Sequence, residues 1–117
     1  MTALDAAAAV RWPERVVCDP QRARKADLWR GSTLFAGLDC LAPGQARTPH
    51  RHAGADKFYL VLRGAGTFEV GETSFSAGEG TLVPAPAGVP HGVRNTGTDP
   101  LVVLTVMSPP PEPGPGA

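Results

Sequence analysis

The chain has 117 residues, enough for one domain built around one hydrophobic core. Its 11 Lys and Arg balance 11 Asp and Glu, which leaves no electrostatic case for a nucleic-acid or anionic-membrane partner. No apolar run approaches membrane-spanning length, so an integral helix is excluded as well.

Residues 2–9 are expected to form one or two turns of helix, with Thr2 as cap and Asp5 three residues on. This start has no basic segment and carries an acid, which makes it a poor signal peptide and points to the cytoplasm. Cys18 and Cys40 have the number for one disulfide, but in that compartment reduced, buried thiols are expected. Arg15–Cys18 reads as a short strand ended by Asp19-Pro20. Gln21–Lys25 is a small basic cluster expected in a solvated loop. Residues 1–28 thus form an N-terminal arm with a first short strand, ahead of a barrel over residues 29–108.

Trp29–Leu41 reads as one long strand, with Gly31 and Gly37 allowing a bend or bulge. Ala42-Pro43-Gly44 turns the chain into the first histidine block, where His50 and His52 are two apart. On a strand that spacing sends both imidazoles out of one face, which is half of a transition-metal site. Ala53-Gly54-Ala55 is a turn. In the next strand Lys57, Tyr59, Val61 and Arg63 share one face, and Phe58, Leu60 and Leu62 the other.

Gly64-Ala65-Gly66 makes a hairpin into Thr67–Val70, and Gly71-Glu72 another into Thr73–Ser76. Thr81–Val83 is a further strand, followed by a rigid loop, Pro84–Pro90, that ends at His91. His91 is the third histidine of the chain, and a short strand runs from it to Asn95. Leu101–Met107 is apolar throughout and is expected to be buried on both faces. Residues 109–117 are rich in Pro and Gly, have nothing to bury, and are expected to be a disordered tail. About eight evenly spaced strands indicate an antiparallel double-sheet barrel.

Gly44, five residues, His50-x-His52, four residues, Lys57, six residues and Gly64 make one pattern; Gly80, Pro86, Gly88, His91 and Asn95 make a second. Together they resemble the two motifs of the cupin superfamily, G-x5-H-x-H-x3/4-E-x6-G and G-x5-P-x-G-x2-H-x3-N. The resemblance implies a small single-domain cupin: an all-β, antiparallel double-stranded β-helix, or jelly roll. It also implies one divalent transition metal (Fe, Mn, Ni, Cu or Zn) inside the barrel, with His50, His52 and His91 as ligands. The motif's glutamate is missing. Lys57 stands in its place, and Asp56, one position earlier, replaces it only if the preceding turn rotates its side chain inward.

Lys57 and Tyr59, on the face expected to point inward, are the candidate catalytic residues, although a tyrosine there also serves simply as packing. Arg51 points opposite to the histidines, Arg63 faces solvent, and Asn95 serves its turn. The function this implies is a metal-dependent small-molecule enzyme: a dioxygenase-like oxidoreductase, or an isomerase, cyclase or lyase. The alternative is a non-catalytic cupin that binds a small molecule, in which Lys57 pairs with an anionic ligand. The apolar Phe58, Leu60 and Leu62 face is expected to pair two copies into a homodimer.

Overall fold

The structure, a computed structural model, describes residues 9–51 and 53–112. The helix expected over residues 2–9 falls outside them except for Ala9, as does His52. Pro13 lies in a 3-10 turn, Trp12–Glu14, where its missing N–H leaves no bond unmade. Nine strands follow among the described residues: β1 (Arg24–Arg30), β2 (Phe35–Leu41), β3 (Ala46–His50), β4 (Asp56–Arg63), β5 (Ala65–Val70), β6 (Thr73–Gly78), β7 (Leu82–Ala85), β8 (His91–Arg94) and β9 (Leu101–Ser108). They form two antiparallel sheets, ordered β1-β2-β9-β4-β7 and β3-β8-β5-β6. This is the all-β jelly-roll architecture the motifs imply.

Strand alternation decides which side chains meet between the sheets. Tyr59 and Val61 on β4, Val83 on β7, Phe68 on β5, Val93 on β8 and Leu101 and Val103 on β9 make one buried core. β9 lies at the centre of its sheet; Leu101, Val102 and Val103 are fully buried, whereas Leu104, Thr105 and Val106 are only partly so. Val102 points outward with Leu38 and Cys40, and Trp12 and Val16 of the N-terminal arm cover them. At Gly64 the backbone is left-handed (φ 80°), and a Cβ there would lie 2.5 Å from the Pro100 carbonyl oxygen, so this turn accepts only glycine.

Several local expectations are corrected. Trp29–Leu41 is not one strand: the Gly31 N–H donates to the Leu34 carbonyl (2.8 Å) and closes a turn between β1 and β2. Both halves are β-prone, so composition alone does not reveal the break. Arg15–Cys18 is not a strand but an irregular arm laid on the back of the five-stranded sheet. That path brings Cys18 to Cys40, and instead of free thiols the two form a disulfide with a Cα–Cα distance of 5.3 Å. The basic cluster is only partly loop, because Arg24 and Lys25 begin β1.

Of the Pro/Gly-rich end, residues 109–112 are described. There the Pro111 carbonyl accepts a hydrogen bond from Arg30 Nη1 at 2.7 Å. Among the described residues no helix is long and apolar enough to cross a membrane.

Candidate functional site

The two histidine motifs meet because β3 and β8 are neighbours in the four-stranded sheet. His50 and His91 are direct partners in their ladder, with ring centroids 4.6 Å apart and ring planes tilted by 58°. His91 is 1% exposed whereas His50 is open to solvent, so the pair runs from the interior to the mouth of the barrel. Each ring is oriented by a backbone carbonyl two residues earlier: His50 Nδ1 lies 3.2 Å from the Thr48 oxygen and His91 Nδ1 3.1 Å from the Val89 oxygen. A carbonyl only accepts, so where these contacts are hydrogen bonds each Nδ1 is the donor.

The loop that delivers His91 is fixed from both ends. Val89 N–H donates to the Pro86 carbonyl (3.1 Å), and Gly88 takes the positive φ of 77° that the third position of a type II turn demands. Inside this turn the Ala87 N–H donates to Asp56 Oδ1 at 2.9 Å. Asp56 is exposed and committed to that contact, so it does not turn inward to replace the missing glutamate. Strand parity holds at this end of β4.

Lys57 and Tyr59 do share the inner face. The Lys57 ammonium lies 4.7 Å above the Tyr59 ring centroid, and the edge of the same ring meets His91 with centroids 6.0 Å apart. Tyr59 is therefore a hinge of contact between the amine and the imidazole pair, and its own ring packs on Phe68 (5.5 Å). Burial, then the positive charge of Lys25, holds the Lys57 amine down at about 8. Burial pushes the Tyr59 phenol above its usual range, so it stays protonated at neutral pH.

Three further residues belong to this layer and were not singled out from sequence. Asp39 on β2, 6% exposed, accepts two hydrogen bonds from Arg47 on β3: Nε to Oδ2 at 2.8 Å and Nη2 to Oδ1 at 3.0 Å. This bidentate pair ties the two sheets together, and the Asp39 hydrogen bond raises the Arg47 pKa further. Lys25, the direct partner of Asp39 across β1 and β2, is held below its usual pKa by partial burial and then by Arg47. The signal was present in β2, where an acid shares a strand face with Phe35 and Leu41.

Asn95 is a turn residue, as expected. Its Nδ2 donates to the Leu41 and Asp99 carbonyls, both at 2.8 Å, and its Oδ1 accepts from the Gly97 N–H at 2.9 Å. Arg51 and Arg63 are exposed. Arg63 follows a bulge, since the β4–β9 register shifts between Val61 and Arg63.

A transition metal asks for imidazoles whose second nitrogen is held by an acceptor, and both Nδ1 atoms of the described pair lie beside a backbone carbonyl. Among the described residues no three His, Cys, Asp or Glu side chains form a cluster that could hold a metal ion.

Comparisons with known proteins agree with this architecture. The family profile described as the cupin domain matches residues 37–107. Auxin-binding protein 1 of Arabidopsis thaliana is 32% identical over 83 residues, covering 63% of this chain but 41% of that protein, so the chain spans less than half of that relative. An uncharacterised protein of Streptomyces coelicolor is 35% identical over 81 residues, 69% of this chain and 75% of the relative. Among solved structures, TT1209 from Thermus thermophilus superposes with a TM-score of 0.84 at 34% identity, over 88% of this chain and 98% of that one.

Proposed function

The chain belongs to the cupin domain family, and from that premise we propose that it is a metal-dependent enzyme acting on a small molecule at the barrel mouth. The observation that carries this reading is the His50–His91 pair, with both Nδ1 atoms engaged by backbone carbonyls. In this reading His50, His91 and His52 hold one divalent transition ion. When bound, such an ion supplies Lewis acidity or redox chemistry at its open coordination positions, as in a dioxygenase, isomerase, cyclase or lyase.

The chain's own residues do the rest. The Thr48 and Val89 carbonyls fix the imidazole orientation. Tyr59, protonated and buried, forms the floor between His91 and Lys57. Phe35, Ala55 and Met107 make an apolar rim that limits water. Lys57 faces the substrate in place of the usual carboxylate.

A second reading is a binding protein without turnover. It is favoured by Lys57 itself, a largely buried amine beside which the structure places an aromatic ring rather than a carboxylate. Elemental analysis of the purified protein, followed by oxygen-uptake and substrate screens with the metal found, separates the two. Stoichiometric metal with turnover supports the enzyme. Absence of metal in protein grown with all five candidate ions overturns it.

A further inference from the structure

The loop that brings His91 into the barrel has few donors with which to hold on to it. Pro84, Pro86 and Pro90 carry no N–H, and the Val89 N–H is spent on the Pro86 carbonyl inside the turn. Its C-terminal end is clamped from the β5–β6 turn, where the Gly71 N–H donates to the Pro90 carbonyl at 2.8 Å. Its N-terminal half leaves β7 just after Ala85, which is paired with Lys57 at the end of the β4–β7 ladder. Continuing that register sets Asp56 opposite Pro86, which cannot donate the next rung. Asp56 supplies that rung with its side chain instead, accepting the Ala87 N–H on Oδ1 at 2.9 Å.

We propose that Asp56 is a positioning residue for His91, acting through the Ala87 N–H and the turn that follows it. The contacts form a chain. Asp56 holds Ala87, the turn from Pro86 to Val89 sets the Val89 carbonyl, and that carbonyl lies 3.1 Å from His91 Nδ1. His91 is in turn the direct ladder partner of His50. The acid that stands one position before the motif's missing glutamate thus acts on the second motif from outside the barrel.

Asp56 and Ala87 are both exposed, so water replaces their hydrogen bond when it is lost and global stability changes little. What is lost is the placement of the loop, and with it the orientation of the His91 ring. Only the effect on metal affinity rests on the reading of the histidines as a metal site; the effect on the His91 ring does not.

The test uses the full chain with three readouts: the His91 ring signals of the metal-free protein by NMR, the affinity for Zn2+ by calorimetry, and stability in urea. Asp56→Ala should shift and broaden the His91 signals and weaken Zn2+ binding by about tenfold, with an unfolding midpoint close to that of the parent protein. Asp56→Asn keeps a side-chain acceptor and should restore most of both. Ala87→Pro removes the donor at a turn position that favours proline, so it should reproduce Asp56→Ala. Combining the two substitutions should add nothing further, because both break one contact. His91 signals unchanged in Asp56→Ala, or fully additive effects in the double variant, would overturn the proposal. If Asp56→Ala fails to fold, Asp56→Asn and Ala87→Pro carry the comparison. A protein that never binds Zn2+ sinks the metal reading, and the His91 signals then decide the role of Asp56 alone.

Discussion

His50 and His91 stand opposite each other in the β3–β8 ladder, and each imidazole is held at Nδ1 by the carbonyl two residues before it. The two sequence motifs are thus joined as one cross-strand pair. About one divalent metal per chain is expected on this basis. His50→Ala and His91→Ala should each lose it, as read by elemental analysis of folded protein. Metal retained in both variants would remove these residues from the site.

The fold was legible because turn chemistry and alternation agree along most of the chain. Pro86, Gly88 and His91 are spaced by the needs of a type II turn that aims an imidazole inward, and Gly64 by a close backbone approach to Pro100. Alternation along β4 correctly put Lys57 with Tyr59 and turned Asp56 away. The Arg47–Asp39 pair escaped notice because it joins strands of different sheets, and no local pattern records such a contact. The disulfide escaped for a similar reason. It depends on the arm folding back over β2, which two cysteines in a sequence do not specify.

Cys18 and Cys40 close a loop with a sequence separation of 22, tying the arm over Leu38 and Val102. Loop-closure entropy for that span is worth about 3 kcal/mol. Cys18→Ser should therefore lower stability by roughly that amount in urea unfolding, with Cys40→Ser losing at least as much because its hydroxyl is buried. Stability equal to that of the parent protein under oxidising conditions would mean that the arm is held by Trp12 and Val16 alone.

Asn95 satisfies two carbonyls and one N–H from a position that is 1% exposed. Asn95→Ala leaves all three without this partner, at a cost of about 2–4 kcal/mol. Asn95→Asp keeps the acceptor for Gly97 but sets a carboxylate against the Leu41 and Asp99 carbonyls, so it should be at least as damaging. Equilibrium unfolding of both variants decides. An Asn95→Ala protein within about 0.5 kcal/mol of the parent would contradict the role assigned to this side chain.

Across the outer face of the five-stranded sheet, Trp29, Ala36, Val106, Phe58 and Pro84 lie in one row of the register. Leu38, Leu104, Leu60 and Leu82 lie in the next. The arm packs on Leu38 and Leu104, while Trp29 and Leu82 remain about half exposed. A second copy is the expected cover for the uncovered part, giving a homodimer. Light scattering at tens of micromolar should report a dimer, and Leu60→Glu with Leu82→Glu should report a monomer. A monomeric parent protein at that concentration rules the pairing out.

Lys57 also leaves a signature in the pH dependence of stability. Its amine is held at about 8 in the folded protein, against 10.5 when unperturbed, chiefly by desolvation and then by Lys25. Between those values the unfolded chain binds the proton that the folded chain has released, so stability rises with pH across the window. Below about 8 the penalty is present in full, of the order of 3 kcal/mol. Lys25 is lowered as well and contributes in the same direction, to a smaller extent because it is exposed. Tyr59 opposes the trend only once the unfolded phenol titrates near its ordinary 10.0, so pH 7 to 9.5 is the range to measure. Urea unfolding over that range should show the parent protein gaining stability. Lys57→Met should be more stable than the parent at pH 7 and show most of the slope removed. Lys25→Met should move the rise to higher pH, because the like charge that depresses Lys57 is gone. Equal slopes in the parent and Lys57→Met would show that the amine remains solvated in the folded protein.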